Sequence, residues 1–190
     1  MAGFRATLAA LLVVAAPVAA GEALSEAEVR GLARPGAIWC SWPDDGFGCL
    51  AAEVIGPPKG GGFATDAHFA LRKGAVGGAL TRRIARISID YVFEGGRLCE
   101  TAPPDPATAR VYADGAGMLR RWAEGAAPSA AERAEIAEIL SAGGPNRVCF
   151  TFEIGDGVYL SRMWSGETEL YEGAPFHVLP PGREVRLDLQ

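Results

Sequence analysis

Between Arg83 and Phe93 the chain alternates with a period of two. Ala85, Ile87, Ile89, Tyr91 and Phe93 fall on one face, and Arg86, Ser88, Asp90 and Glu94 on the other. Successive side chains of a strand point to opposite sides, so this segment is predicted to be a half-buried antiparallel strand. An apolar sheet face has to be covered by another layer, which commits the chain to a β-rich core. Gly95-Gly96 then supplies the positive-φ freedom of a tight hairpin turn, and Arg97-Leu98-Cys99 is the expected return strand.

The same alternation of short apolar runs and turn residues covers most of the chain. Ile38–Trp42 and Cys49–Ile55 flank a Pro43-Asp44-Asp45-Gly46 turn, and Phe63–Arg72 reads as a strand between loops at 56–62 and 73–78. Val148, Phe150, Phe152 and Ile154 share a strand face from which Cys149 points away. Gly155-Asp156-Gly157 turns the chain and Val158–Trp164 returns. Thr168–Tyr171, Phe176–Leu179 and Val185–Leu189 are expected as separate short strands. Two helices carry capping boxes, Ser25 with Glu28 and Ser129 with Glu132. Leu24 and Val29 staple the first, which Pro35-Gly36 ends. Ile136, Ile139 and Leu140 form the apolar stripe of the second, with Glu132, Glu135 and Glu138 as its solvated edge and Gly143-Gly144-Pro145 as its stop. The expected fold is mainly β (α+β): an antiparallel, meander-like sheet with two short helices, stapled by disulfides, in one globular domain over 21–190. The proline-rich connector Thr101–Pro106 marks 37–99 and 107–190 as candidate subdomains.

Residues 1–20 read as a secretory leader. Arg5 precedes the apolar run Leu8–Ala16, Pro17 breaks it, and Val18-Ala19-Ala20 offers small residues for cleavage after Ala20. The run is too short for a permanent membrane span. Only Lys59 and Lys73 are lysines, and the arginine, alanine, glycine and proline bias points to a GC-rich bacterial genome. The expected compartment is the periplasm or the exterior. There, the four cysteines imply two disulfides. Three pairings are possible, and the short turn between Cys40 and Cys49 favours Cys40–Cys49 with Cys99–Cys149. In the loop-entropy model these contribute about 2.7 and about 4 kcal/mol.

Charge excludes some partners. The formal charge is −5, and loss of the leader removes Arg5 and no acid, so nucleic acid is a poor partner. No G-x-S-x-G, P-loop, dinucleotide fingerprint or H-E-x-x-H motif is present, and nothing calls for a cofactor. The cysteine spacings match no zinc pattern, His68 and His177 are unpaired in sequence, and Asp44-Asp45-Gly46 lacks the alternation of a calcium loop. No metal site is expected.

Two features remain. Asp66 and His68 share a strand face, so Asp66 could orient His68 as a general base for Ser88 or Ser161. The alternative is a hydrogen-bonded surface pair. Trp39, Trp42 and Phe47 surround the proposed Cys40–Cys49 loop, either as an aromatic platform for a sugar, peptide or protein or as a small core on the disulfide. Trp122 and Trp164 read as core, and Arg82-Arg83 and Arg120-Arg121 as solvated. The expected function is therefore a non-catalytic binding or interaction module of the cell envelope, with an envelope protein or small ligand as its unidentified partner. The alternatives are a small hydrolase using Asp66 and His68, and a β-sheet carrier of a small apolar ligand. A closed concave cavity favours the carrier. A cleft with His68 beside a serine or acid favours the enzyme, and a convex surface with exposed Trp39 or Trp42 favours the interaction module.

Overall fold

The structure is a computed structural model that describes residues 21–43, 48–71, 75–76, 79–80, 83–114, 118–119, 124–141 and 147–187. The leader, Asp44 to Phe47, Arg82, Arg120 to Trp122 and the 143–145 stop lie outside the described residues. Eight strands follow one another along the chain: β1 (Ile38–Ser41), β2 (Ala51–Lys59), β3 (Gly62–Leu71), β4 (Arg83–Glu94), β5 (Arg97–Glu100), β6 (Val148–Gly155), β7 (Val158–Ser165) and β8 (Thr168–Leu179). Each pairs antiparallel with the next. β8 then returns to β1, with Phe176 opposite Ser41 and Val178 opposite Trp39. The expected antiparallel meander is therefore present, and it closes into an eight-stranded up-and-down barrel. Its strands come from both sides of the 101–106 connector.

Two segments differ from their sequence reading. Gly56-Pro57-Pro58-Lys59 is not a loop but the end of β2, whose ladder with β3 shifts register between Ile55 and Pro58. Proline's fixed φ suits an extended chain, and its missing N–H is harmless where the ladder is already interrupted. The turn itself is only Gly60-Gly61, with φ of 56° and 85°. At Gly62 a Cβ would lie 1.9 Å from the Tyr91 carbonyl oxygen, so only glycine allows β3 to approach β4 there. Likewise 168–179 is one strand, not two. Irregular pairing with β7 absorbs the break around Gly173, whose φ is 125°.

The wall of the barrel has a core on each side. Inside, Trp39, Phe63, Phe69, Ile87, Tyr91, Leu98, Phe152 and Phe176 belong to one cluster. Outside, Ile38, Cys40, Ala52, Ala70, Ile84, Tyr112, Val185 and Leu187 form a second. The strand Arg110–Ala113 extends the sheet beside β4, and the C-terminal Arg186–Leu187 pairs parallel with Gly48–Cys49. Both expected disulfides are present, Cys40–Cys49 and Cys99–Cys149. They sit on the outer side, because Trp39, Leu98 and Phe150, next to them in sequence, face inward.

The two helices sit at opposite ends. The helix α1 (Glu26–Leu32) has the expected capping box. Its Arg30 donates to the Gly61 carbonyl in the β2–β3 turn and lies 4.3 Å from the Phe93 ring centroid. Val29 packs into the inner cluster, so α1 closes the end formed by the hairpin turns. The helix α2 (Ala130–Leu140), also boxed, reaches the other end through Ile136, Ile139 and Leu140. Glu132 is not simply a solvated edge: besides capping, it pairs with Arg83 at the start of β4, 2.9 Å away.

Candidate functional site

The barrel interior is not filled. The inward faces of β2, β3 and β8 carry small residues, Ala51, Ala67 and Ala174, opposite the large rings of Trp39, Phe69, Phe150, Phe152 and Phe176. Small side chains among large ones leave a cavity of about 230 Å³, with Ile139 and Leu140 of α2 at one end. A cavity of about 150 Å³ holds a benzene, while ordinary small-molecule sites start near 300 Å³. The space is thus sized for a compact molecule.

Three ionisable groups, Glu53, Tyr91 and Glu100, interrupt this apolar lining, besides the hydroxyls of Ser41 and Ser161. Glu53 lies directly opposite Trp39 in the β1–β2 ladder, and both line the cavity. Its Oε2 is buried without a hydrogen-bond partner. Burial pushes its carboxyl up to about 7, partly opposed by the neighbouring Thr65 and Tyr91 hydroxyls. Glu100 is 6% exposed and lies opposite Tyr91 in the β4–β5 ladder. Its Oε2 accepts from the Val148 amide at 3.3 Å. Burial pushes it to about 7 as well; the Val148 amide opposes that shift, the Glu53 charge adds to it and Arg147 counters it. Tyr91 is held well above its usual value by burial and by the charges of both glutamates. Arg147 donates through Nε to the Glu100 carbonyl and pairs through Nη1 with Glu94 at 2.9 Å.

The residues singled out in the sequence are distributed across the wall. Asp66 and His68 lie on the outer face. Asp66 accepts from the Ser88 hydroxyl at 2.6 Å, on the opposite strand. His68 is not part of a surface pair: it is fully buried, with Nδ1 3.2 Å from the Tyr112 hydroxyl. Ser161 lines the cavity on the other side of the wall, its hydroxyl 3.3 Å from the Ala174 carbonyl. Trp39 is buried inside the barrel, with T-shaped contacts to Phe63 and Phe152. Trp42 is 41% exposed, has a φ of 45° and lines the cavity at its rim. Trp39 and Trp42 therefore meet around one space, while Phe47 lies outside the described residues. Trp164 donates to the Thr151 hydroxyl and stacks under Arg97 on the outer face of β7.

The sequence reading missed Glu53 and Glu100. Their signal was present: in β2 Glu53 shares a face with Ala51 and Ile55, and in β5 Glu100 shares one with Leu98. A carboxylate at an apolar-face position is the exception that marks a site. Among the described residues no group of three or more His, Cys, Asp or Glu side chains is placed to hold a metal ion. No helix among them is long and apolar enough to cross a membrane. Comparison with family models, curated proteins and solved structures matched none of them.

Proposed function

We propose that this is a non-catalytic binding protein that carries a small, largely apolar ligand inside its barrel, in the periplasm or outside the cell. The observation that supports this reading is the cavity of about 230 Å³ inside the barrel, with its aromatic wall. Its volume implies a guest of about nine non-hydrogen atoms, scaling from benzene in about 150 Å³. Two disulfides and a secretory leader pattern fit an oxidising compartment. Catalysis by His68 is disfavoured by its full burial in the outer core, away from the cavity and from Ser161. In this reading exposed Trp42 serves the mouth of the cavity rather than a separate docking platform.

Titration with propylbenzene, followed by tryptophan fluorescence and by calorimetry, tests this. The expected result is saturable one-to-one binding, abolished by Ala67→Phe, which fills the cavity from β3. No saturable binding, or binding undiminished in a folded Ala67→Phe variant, would sink the proposal.

A further inference from the structure

The cavity is asymmetric in charge. Among the described residues that line it, Glu53 and Glu100 are acids and none is basic. Arg147, the cation that acts on Glu100, lies outside the lining; it serves Glu94 and the Glu100 carbonyl, and its buried Nη2 has no hydrogen-bond partner. Glu100 has a partner for one oxygen in the Val148 amide. At Glu53 the Thr65 and Tyr91 hydroxyls are neighbours, yet the Oε2 of this cavity-lining residue is buried and has no hydrogen-bond partner. A buried acceptor without a donor costs about 1–3 kcal/mol, and more when it carries charge. A ligand that fills the cavity and donates to this oxygen would remove that cost.

The surroundings of Glu53 narrow the donor. Trp39 lies opposite it in the ladder, and the Tyr91 ring lines the same space. Electron-rich ring faces attract a cation within about 6 Å. A carboxylate flanked by an indole and a phenol, in a lining that carries no basic side chain among the described residues, suits an ammonium group. We infer that the cavity takes a small organic cation: a primary amine on a compact apolar body, its ammonium on Glu53 and its body among Phe150, Phe152 and Phe176. This deepens the carrier reading and rests on it. A neutral hydroxyl would satisfy one oxygen but leave the carboxylate's charge uncompensated. A carboxylate ligand would be repelled by both glutamates.

Binding should then be proton-linked. The groups that face Glu53 are the Thr65 hydroxyl from β3, Tyr91 from β4 and Glu100 from β5, with Arg147 beyond it; β1 contributes only Trp39. Glu53 must be ionised to hold the ammonium, and its carboxyl titrates near 7. Affinity for the amine therefore rises about tenfold from pH 6 to pH 8, in the range where a typical alkylamine stays protonated.

Three probes of about nine non-hydrogen atoms separate the possibilities: phenethylamine, 2-phenylethanol and propylbenzene. The expected result at pH 8 is that phenethylamine binds the wild-type protein at least about tenfold more tightly than either neutral probe. Glu53→Gln should remove that preference. If propylbenzene binds and phenethylamine binds no better, or 2-phenylethanol binds equally well, the amine inference fails and the carrier reading stands. If no probe binds, the carrier reading itself fails. Should Glu53→Gln not fold, the wild-type pH profile decides. An amine affinity that is flat between pH 6 and pH 8 overturns the assignment of Glu53.

Discussion

On the outer face of the barrel wall His68 is fully buried and its Nδ1 meets the Tyr112 hydroxyl. On the inner face Glu53 is half-buried, and its Oε2 is fully buried without a hydrogen-bond partner beside empty space. Both are polar groups in apolar surroundings; His68 is anchored to a neighbouring side chain through Nδ1, whereas the Glu53 Oε2 has no hydrogen-bond partner. The outer core is closed by the C-terminal strand and a disulfide, with Val185 and Leu187 packed down on it. The inner core keeps alanines where larger residues would fill the space. A polar group anchored to a neighbour inside a filled core reads as architecture. One left open beside a cavity reads as a place for something else.

The largest test of this contrast concerns what holds the inner space together. Cys99–Cys149 ties β5 to β6, the pairing that joins the two halves of the barrel across the long 101–147 connection. Replacing both cysteines by alanine should cost about 4 kcal/mol in denaturant unfolding, against about 2.7 kcal/mol for removing Cys40–Cys49. An equal or smaller loss on removing Cys99–Cys149 would show that the β5–β6 pairing does not depend on that bridge.

Acid–base behaviour is the next largest. The folded state holds protons on Glu53 and Glu100 up to about pH 7, whereas the unfolded chain releases them near 4.5. The folded state therefore binds more protons in that window, and stability falls as pH rises from about 4.5 to about 7, by about 3 kcal/mol for Glu53. Glu28 and Glu94 act in the opposite sense and below that window, since the Ser25 hydroxyl and amide hold the first low and Arg147 the second. Denaturant curves across pH 4.5 to 8 should show the decline, and Glu53→Gln should remove its share. A flat profile, or one unchanged in the variant, would mean that the inner acids are not in dry surroundings.

The smallest contrast lies along one strand. His68→Ala empties a fully buried site and should cost about 2–3 kcal/mol. Ser88→Ala removes an exposed partner of Asp66 and should cost less than about 1 kcal/mol. Thermal unfolding of the two variants gives the comparison. Equal losses would mean that His68 is not the structural residue its burial implies.

Local chemistry made much of this molecule legible. The alternation in β4, the two capping boxes and the Gly95-Gly96 turn need only neighbouring residues, and each occurs as read. The Pro57-Pro58 segment was misread because proline lowers strand propensity, yet at a register shift its missing donor does not matter. Closure was not legible: the β8–β1 and β5–β6 pairings join residues far apart in sequence, and no local pattern encodes them. Trp39 and Cys40 show the same divide. Adjacent in sequence, they face opposite cores, and the pairing that decides which is inside is non-local.

The up-and-down order with its β8–β1 seam also sets the schedule of folding. The β2–β3, β4–β5, β6–β7 and β7–β8 pairs can zip up through two-residue turns, a step that takes microseconds. The seam must wait until Thr168–Leu179 finds Ile38–Ser41 across nearly the whole chain, and such a long loop is closed at an entropic cost that slows the barrier crossing. Until then the sheet has two open edges able to pair with another chain. Time spent unsealed, more than final stability, is the period in which this protein is exposed to aggregation.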